Sequence, residues 1–194
     1  MIPARGAVLG IDVGFSNAGR TTGLCALTWD EDALTWQAAV TGTGDDVRTA
    51  ALRQLLEKVD HVMAVAIDGP LRPGLVCVRQ YRCAESLLAR GMFQRRGKPG
   101  ASHVGVGWDL HCAATAIAKL VRAVVAVRPG PHHESMVEAF PNAFLGVLHA
   151  DDGFPLSVEA RRRWTDVLYA RAPVRAALEH VLKDVAGDRT IIAD

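Results

Sequence analysis

Cysteines, lysines and long apolar runs are scarce in this sequence of 194 residues. The four cysteines form no CxxC pair and no signal peptide precedes them, so we expect reduced thiols and a cytoplasmic protein. No apolar run approaches the ~20 residues that a membrane-spanning helix needs, so we expect no membrane association. The net charge of +1 argues against a polycation dedicated to nucleic-acid binding.

The sequence also lacks the short motifs of several enzyme classes. No Walker A pattern, no G-x-G-x-x-G and no G-x-S-x-G is present, and no cysteine–histidine pair stands in a credible nucleophile setting. Hydrophobic residues make up 49% and charged residues 22% of the chain, which does not fit a disordered protein. Area scaling gives burial of roughly 70% of the surface, so we expect one domain over residues 1–194 with a proper core.

Apolar runs and turn residues predict an α/β fold that begins in the order β-β-β-α-β. The predicted strands are Ala7–Asp12, Thr21–Trp29, Leu34–Thr41 and Val62–Asp68. Asp45 or Asp46 is the predicted N-cap of the helix between the third and fourth strands. The helix is predicted from residues that follow helical spacing, namely Val47, Ala50, Ala51, Gln54, Leu55 and Val59.

The second half of the chain is predicted to contain mostly helices. A strongly apolar helix over Leu110–Val127 precedes a parallel strand over His133–Phe140. The remaining predicted helices are Val78–Ala89, a short one opened by Asn142–Leu148, and a helical C-terminal part at about 156–187 made of Leu156–Ala170 and Val174–Val185. Asp188–Asp194 is predicted to be a short strand or a stub.

Three acids stand at the ends of three predicted buried strands: Asp12 in GIDVG, Asp68 in AIDGP and Glu138 in VEAFP. In an open α/β sheet, ligands bind outside the carboxyl ends of the strands. Carboxylates that converge there repel one another and raise one another's pKa, and a divalent cation resolves that conflict. Hard oxygen ligands suit Mg²⁺ or Mn²⁺, and two such ions could clamp the attacking and leaving oxygens of a phosphodiester.

Each acid also has a purely structural interpretation. An Asp that ends a strand close to a Gly is often an Asx-turn residue, and this applies to Asp12 and Asp68. Glu138 shares a predicted strand face with Met136 and Phe140, and a solvated edge strand is its alternative. The three acids together favour a metal site more than any one of them does alone.

Basic residues concentrate in a glycine-rich insertion at about 72–107. Between Arg72 and Lys98 there are seven basic residues and one acid, and most are arginine, whose planar fork suits phosphate. Glu85 could add a ligand or pair with an arginine, and His103 could position water or protonate a leaving group. The alternative is a solvated helix face followed by a flexible loop. The predicted contacts to nucleic-acid phosphates are Arg79, Arg82, Arg95, Arg96 and Lys98.

Four short motifs resemble one known family, the domain-of-unknown-function 429 family, over roughly residues 7–148. They are GID at Gly10–Asp12, AIDGPL at Ala66–Leu71, R-x-x-E at Arg82–Glu85 and VEAFP at Val137–Pro141. Proteins of that family are predicted nucleases with a ribonuclease-H-like fold. The resemblance implies a mixed sheet of three antiparallel strands followed by parallel strands, in the order β-β-β-α-β-α-β. It also implies an acidic metal site made by Asp12, Asp68 and Glu138.

One departure from that fold concerns the end of the sequence. Ribonuclease-H-like enzymes usually take a last acid from a C-terminal helix beside the first strand. We expect either that Asp194, just after Ile191–Ile192, stands near the position of that acid, or that the last helix is absent from this sequence.

The residues and the resemblance together predict a Mg²⁺- or Mn²⁺-dependent phosphodiesterase or nuclease with Asp12, Asp68 and Glu138 as catalytic and metal-binding residues. The expected partner is DNA or RNA, and a homo-oligomer is left open. A catalytically inactive scaffold of the same fold, binding nucleic acid or protein, is one alternative. The other is a small-molecule phosphotransfer enzyme that presents the turn between Asp12 and Thr22 to a phosphate.

Overall fold

Six strands and three helices make up the part of the chain that the computed structural model describes, which is residues 3–15, 21–59, 61–72, 105–125, 135–141, 144 and 172–193. The helices are α1 (Asp45–Leu55), α2 (Gly105–Val124) and α3 (Ala172–Ala186). None of these described helices is long and apolar enough to cross a bilayer. The strands are β1 (Gly6–Asp12), β2 (Thr22–Trp29), β3 (Ala33–Thr41), β4 (Ala64–Asp68), β5 (Met136–Ala139) and β6 (Thr190–Ala193).

The strands form one mixed sheet in the order β5-β4-β1-β2-β3-β6. β1, β2 and β3 pair antiparallel as a meander. β4 then joins β1, and β5 joins β4, both in parallel. The chain therefore has an α/β fold, and the predicted order β-β-β-α-β is confirmed. β6 pairs in parallel with β3 at the opposite edge, which settles the choice between strand and stub for the last residues.

Several predicted element boundaries differ from the observed ones. Gly44, rather than Asp45 or Asp46, is the N-cap of α1. Both acids lie in the first turn of the helix, where negatively charged side chains interact favourably with the helix dipole. α2 begins at Gly105, inside a stretch predicted as loop. The predicted helices Val78–Ala89 and Leu156–Ala170 lie outside the described residues, and so does most of Asn142–Leu148.

The hydrophobic core lies between one face of the sheet and the helices α1 and α2. Alternate residues of each central strand point into it, because successive side chains of a strand emerge on opposite faces. α1 and α2 cover this face with their apolar stripes. The core residues include Leu9, Ile11, Leu24, Val65 and Ile67 from the sheet, Leu52 and Leu55 from α1, and Ala114, Ile117, Ala118 and Val121 from α2.

The inward face of α1 includes a charged residue. Val47 is 54% exposed, whereas Arg48 is only 6% exposed. Arg48 lies on the same stripe as Leu52 and Leu55, at helical spacing. The spacing of hydrophobic residues alone does not indicate that an arginine occupies this inward position, because its burial depends on polar partners elsewhere in the chain.

Gly69 lets α2 approach the end of β4 closely. A Cβ atom at this position would lie 2.8 Å from the Cβ atom of Ala114, which is closer than two carbon atoms can pack. The packing of α2 therefore depends on the missing side chain at the residue that directly follows Asp68.

We expect Gly69→Ala to destabilise the protein by ~1–3 kcal/mol, the usual cost of overpacking. Each kcal/mol lowers the Tm of a chain of this size by ~2–4 °C. Gly42→Ala is the matched control, since a Cβ at Gly42 meets nothing within 4 Å. Thermal unfolding followed by circular dichroism measures both, and an equal Tm for the two variants would contradict this account of the packing.

Candidate active site

The register of β1 against β4 brings two carboxylates side by side. Asp12 and Asp68 are the last residues of these parallel neighbours and are paired with each other. Neighbouring strands lie about 4.8 Å apart, so the two side chains leave the same sheet face at that spacing. Both stand at the carboxyl ends of the strands, where the sequence predicted a site.

The alternation of each strand explains why these acids avoid the core. Ile11 and Ile67, which precede them, are buried at 3% and 0% exposure on the face covered by α1 and α2. The next residue in each strand must therefore point to the opposite face. The apolar residues that build the core thus fix the direction of both carboxylates.

The two carboxyl groups share an environment that disfavours negative charge. Loss of hydration raises the pKa of Asp12, although part of its side chain still reaches solvent. Burial, and second the charge of Asp12, raise the pKa of Asp68 from its ordinary value of 3.8 to about 6. A pair of this kind is stabilised by a shared proton or by a cation.

A shallow cavity of about 400 Å³ adjoins the pair on the same sheet face. Small residues line much of it, so the backbone of the sheet is accessible from this side. Burial raises the pKa of the Cys25 thiol at its floor, which keeps that thiol protonated and a poor ligand or nucleophile. Besides Asp12 and Asp68, the lining includes Gly10, Gly23, Cys25, Ala38, Ala66 and Ala139.

Glu138 lies at the same end of the sheet but belongs to its other face. Its register partner is Ile67, whereas Asp68 is paired with Ala139. One carboxylate oxygen of Glu138 accepts a hydrogen bond from the backbone N–H of Leu71 at 2.9 Å. In this arrangement Glu138 holds the segment that follows Asp68, and the predicted third ligand is one strand face away from the other two.

His111 holds the same segment from α2. Its Nδ1 lies 2.7 Å from the carbonyl oxygen of Pro70. Because a carbonyl only accepts, this contact assigns the ring proton to Nδ1. The ring also packs on Trp108, with centroids 5.2 Å apart. Sequence reasoning missed His111, although a histidine on the stripe of Ala114, Ala118 and Val121 was a visible signal.

Arg48 is the second residue that sequence reasoning missed, and it forms hydrogen bonds at both ends of the segment between β1 and β2. Thr22 is fully buried and its hydroxyl accepts hydrogen bonds from the Arg48 guanidinium. That hydroxyl is therefore engaged inside the protein rather than presented to a phosphate. Thr22 is therefore not among the groups that the phosphotransfer alternative could present to a phosphate, and residues 16–20 of that turn lie outside the described residues.

The predicted phosphate-binding residues Arg79, Arg82, Arg95, Arg96 and Lys98 lie outside the described residues, as do Glu85 and His103. Within the described ranges, no group of three or more His, Cys, Asp or Glu side chains is arranged to hold a metal ion. The Asp12–Asp68 pair still fits Mg²⁺ in its donor chemistry, since that ion is commonly held by one or two carboxylates, waters and substrate phosphates.

A larger cavity of about 600 Å³ lies at the opposite ends of these strands. Arg5, Lys58 and His61 contribute to its lining, together with Asp30. The Asp30 carboxylate accepts hydrogen bonds from the backbone N–H groups of Asp32 and Ala33, and these lower its pKa. It serves the turn that it starts, so this cavity has no counterpart of the carboxylate pair.

Comparison of the chain with family models, with curated proteins and with solved structures finds no match. The resemblance to the domain-of-unknown-function 429 family therefore stays a prediction. The function is therefore inferred from the geometry of the Asp12–Asp68 pair.

We expect Asp68→Asn to stabilise the metal-free protein at pH 8. The folded-state pKa is raised, so the unfolded chain loses this proton first and wild-type stability falls as the pH rises from 3.8 to about 6. The full shift corresponds to ~3 kcal/mol, and partial exposure reduces the expected gain to ~1 kcal/mol. The two proteins should be equally stable near pH 3.5.

Chemical denaturation in EDTA between pH 3.5 and 8 measures this difference. Glu31→Gln, in an exposed turn, is the control for removal of a surface carboxylate. A wild type that is as stable as Asp68→Asn at pH 8 would show that the carboxylate pair is not strained in the folded state.

Proposed function

We propose that this protein is a Mg²⁺- or Mn²⁺-dependent phosphodiesterase of the ribonuclease-H-like fold that hydrolyses nucleic acid. The observation that carries the proposal is the pairing of Asp12 with Asp68 at the carboxyl ends of two parallel central strands. Two carboxylates that cannot both be ionised at low cost form a ready site for a divalent cation.

The strand order supports the fold assignment. The described elements follow one another as β1, β2, β3, α1, β4, α2 and β5, which agrees with the order that the family resemblance implies. The antiparallel meander is extended at β1 by β4, which pairs with it in parallel, and β5 then pairs in parallel with β4. The agreement concerns architecture, and the activity itself is argued from the site.

Four of the described residues have distinct roles in the proposed mechanism. Asp12 and Asp68 would hold a divalent cation through their carboxylate oxygens. Glu138 and His111 would hold the backbone at Leu71 and Pro70, which closely follow Asp68. A divalent cation held there supplies a water of lowered pKa and stabilises charge that develops on a phosphodiester.

The nucleic-acid partner is proposed from the basic insertion. Arg79, Arg82, Arg95, Arg96 and Lys98 follow the segment held by Glu138 and His111 in the sequence, and we assign phosphate binding to them. Arginine-rich segments of this kind contact the phosphate backbone without reading its sequence. Such contacts make binding strongly dependent on salt.

A non-catalytic scaffold of the same fold is the second candidate. It is favoured by the absence of a third metal-ligating side chain beside Asp12 and Asp68 within the described residues. Such a scaffold binds nucleic acid or a protein partner without turnover, and its binding does not change with EDTA.

We expect Mn²⁺ to bind the wild type saturably. We expect Asp12→Asn and Asp68→Asn to bind no Mn²⁺, because each variant removes one of the two paired carboxylates. Isothermal titration calorimetry at pH 7.5 measures this directly. Glu138→Gln is the informative comparison: a ligand role predicts loss of binding, whereas a role on the Leu71 N–H predicts a smaller effect. Equal affinities in wild type and Asp68→Asn would contradict the metal site.

We expect cleavage of nucleic acid to require Mn²⁺ and to fall at least ~100-fold in Asp68→Asn. A panel of labelled single-stranded and duplex DNA and RNA, each with Mn²⁺ or with EDTA, measures this. Retention of nucleic acid in EDTA with no cleavage in Mn²⁺ would establish the scaffold instead. Cleavage at the same rate in Asp68→Asn would indicate a contaminating nuclease.

A further inference from the structure

A buried arginine ties together the two ends of the turn between β1 and β2. Arg48 is only 6% exposed. Its Nη2 donates to the carbonyl oxygen of Gly14 at 2.9 Å and to the Thr22 hydroxyl at 3.0 Å. Its Nε donates to the same hydroxyl at 3.2 Å. One guanidinium therefore bridges the end of β1 and the start of β2.

Arginine is the side chain that this bridge requires. Its planar fork presents several N–H donors in fixed directions, whereas the lysine ammonium is a point charge on a flexible stem. Burial of a cation is costly unless hydrogen bonds compensate for its lost hydration. Arg48 occupies an inward position on the stripe of Leu52 and Leu55, where a hydrophobic residue would pack more cheaply. The inward position of Arg48 therefore indicates that its hydrogen bonds to Gly14 and Thr22 are needed there.

The bridged segments are the ones that place Asp12. Gly14 follows Asp12 by two residues, and the register partner of Asp12 is Gly23, directly after Thr22. A Cβ at Gly23 would lie 3.3 Å from the Cβ of Asp12. Gly14 lies directly against the residue before Thr22, since a Cβ at Gly14 would overlap the carbonyl oxygen of Thr21. Movement of either end of the turn would displace the Asp12 carboxylate.

We infer that Arg48 is a positioning residue that fixes the Asp12 carboxylate beside Asp68 by holding Gly14 and Thr22 together. Its effect on metal binding rests on the proposed function, in which Asp12 and Asp68 share a divalent cation. Its effect on the turn does not depend on that function. Arg48 acts from the core face of the sheet, so it reaches the site only through the backbone and not by direct contact with the ligand.

The test compares Arg48→Lys with two controls at a temperature where all variants are folded. Thr41→Val changes Thr41, the register partner of Thr22. The buried hydroxyl of Thr41 itself has no hydrogen-bond partner. Leu52→Ala, one turn further along α1, removes a side chain that is 1% exposed and lowers stability without touching the turn. Both controls should keep wild-type Mn²⁺ affinity.

We expect Arg48→Lys to weaken Mn²⁺ binding by ~10-fold, the lower end of the range for residues that orient metal ligands. Amide hydrogen exchange at Val13 and Gly23 should become ~10-fold faster in this variant alone, since charge-assisted hydrogen bonds are lost. Wild-type affinity in Arg48→Lys, or the same loss in Leu52→Ala, would overturn the positioning role.

Hydrogen exchange separates this inference from the proposed function. If the wild type binds no Mn²⁺, the metal site fails, and the exchange rates alone decide whether Arg48 holds the turn. Unchanged exchange at Val13 and Gly23 in Arg48→Lys would overturn the inference whatever the metal does.

Discussion

The parallel pairing of β1 with β4 is the interaction on which the candidate site depends. It is a backbone ladder, and its register is enforced by the apolar residues that alternate with the acids. A shift by one residue would turn Ile11 or Ile67 out of the core and an aspartate into it. The hydrophobic effect thus supplies the free energy that keeps two like charges adjacent, and the electrostatic strain at Asp68 is a consequence of the same register.

The surroundings of the pair are organised by polar groups that face the opposite side of the sheet. Glu138 and His111 hold the chain after Asp68, and Arg48 holds the chain after Asp12. None of these three has to touch a ligand in order to matter. Their hydrogen bonds reach Gly14, Pro70 and Leu71, so the backbone that directly follows each aspartate is restrained.

Much of this architecture could be predicted from the sequence, and the part that could not has a common cause. Period-two and unbroken apolar runs predicted the first four strands to within two residues, because burial alone determines them. The prediction that Asp12 and Asp68 meet followed from the rule on strand ends. The positions of Arg48, His111 and Glu138 depend on hydrogen bonds to backbone groups far away in the sequence, and no local pattern encodes those partners. The same limit applied to β6, whose place beside β3 depends on long-range pairing.

The connectivity of the sheet has a consequence for the order in which it forms. The meander of β1, β2 and β3 closes through short loops, whereas β4 and β5 add to it across longer segments and β6 returns to β3 from the far end of the chain. Contacts between distant residues form more slowly because loop closure costs more entropy. We therefore expect the two aspartates to come together only after the local hairpins have formed. If the pair holds a cation as proposed, that cation would bind only once β4 has paired with β1, and it would then stabilise this pairing.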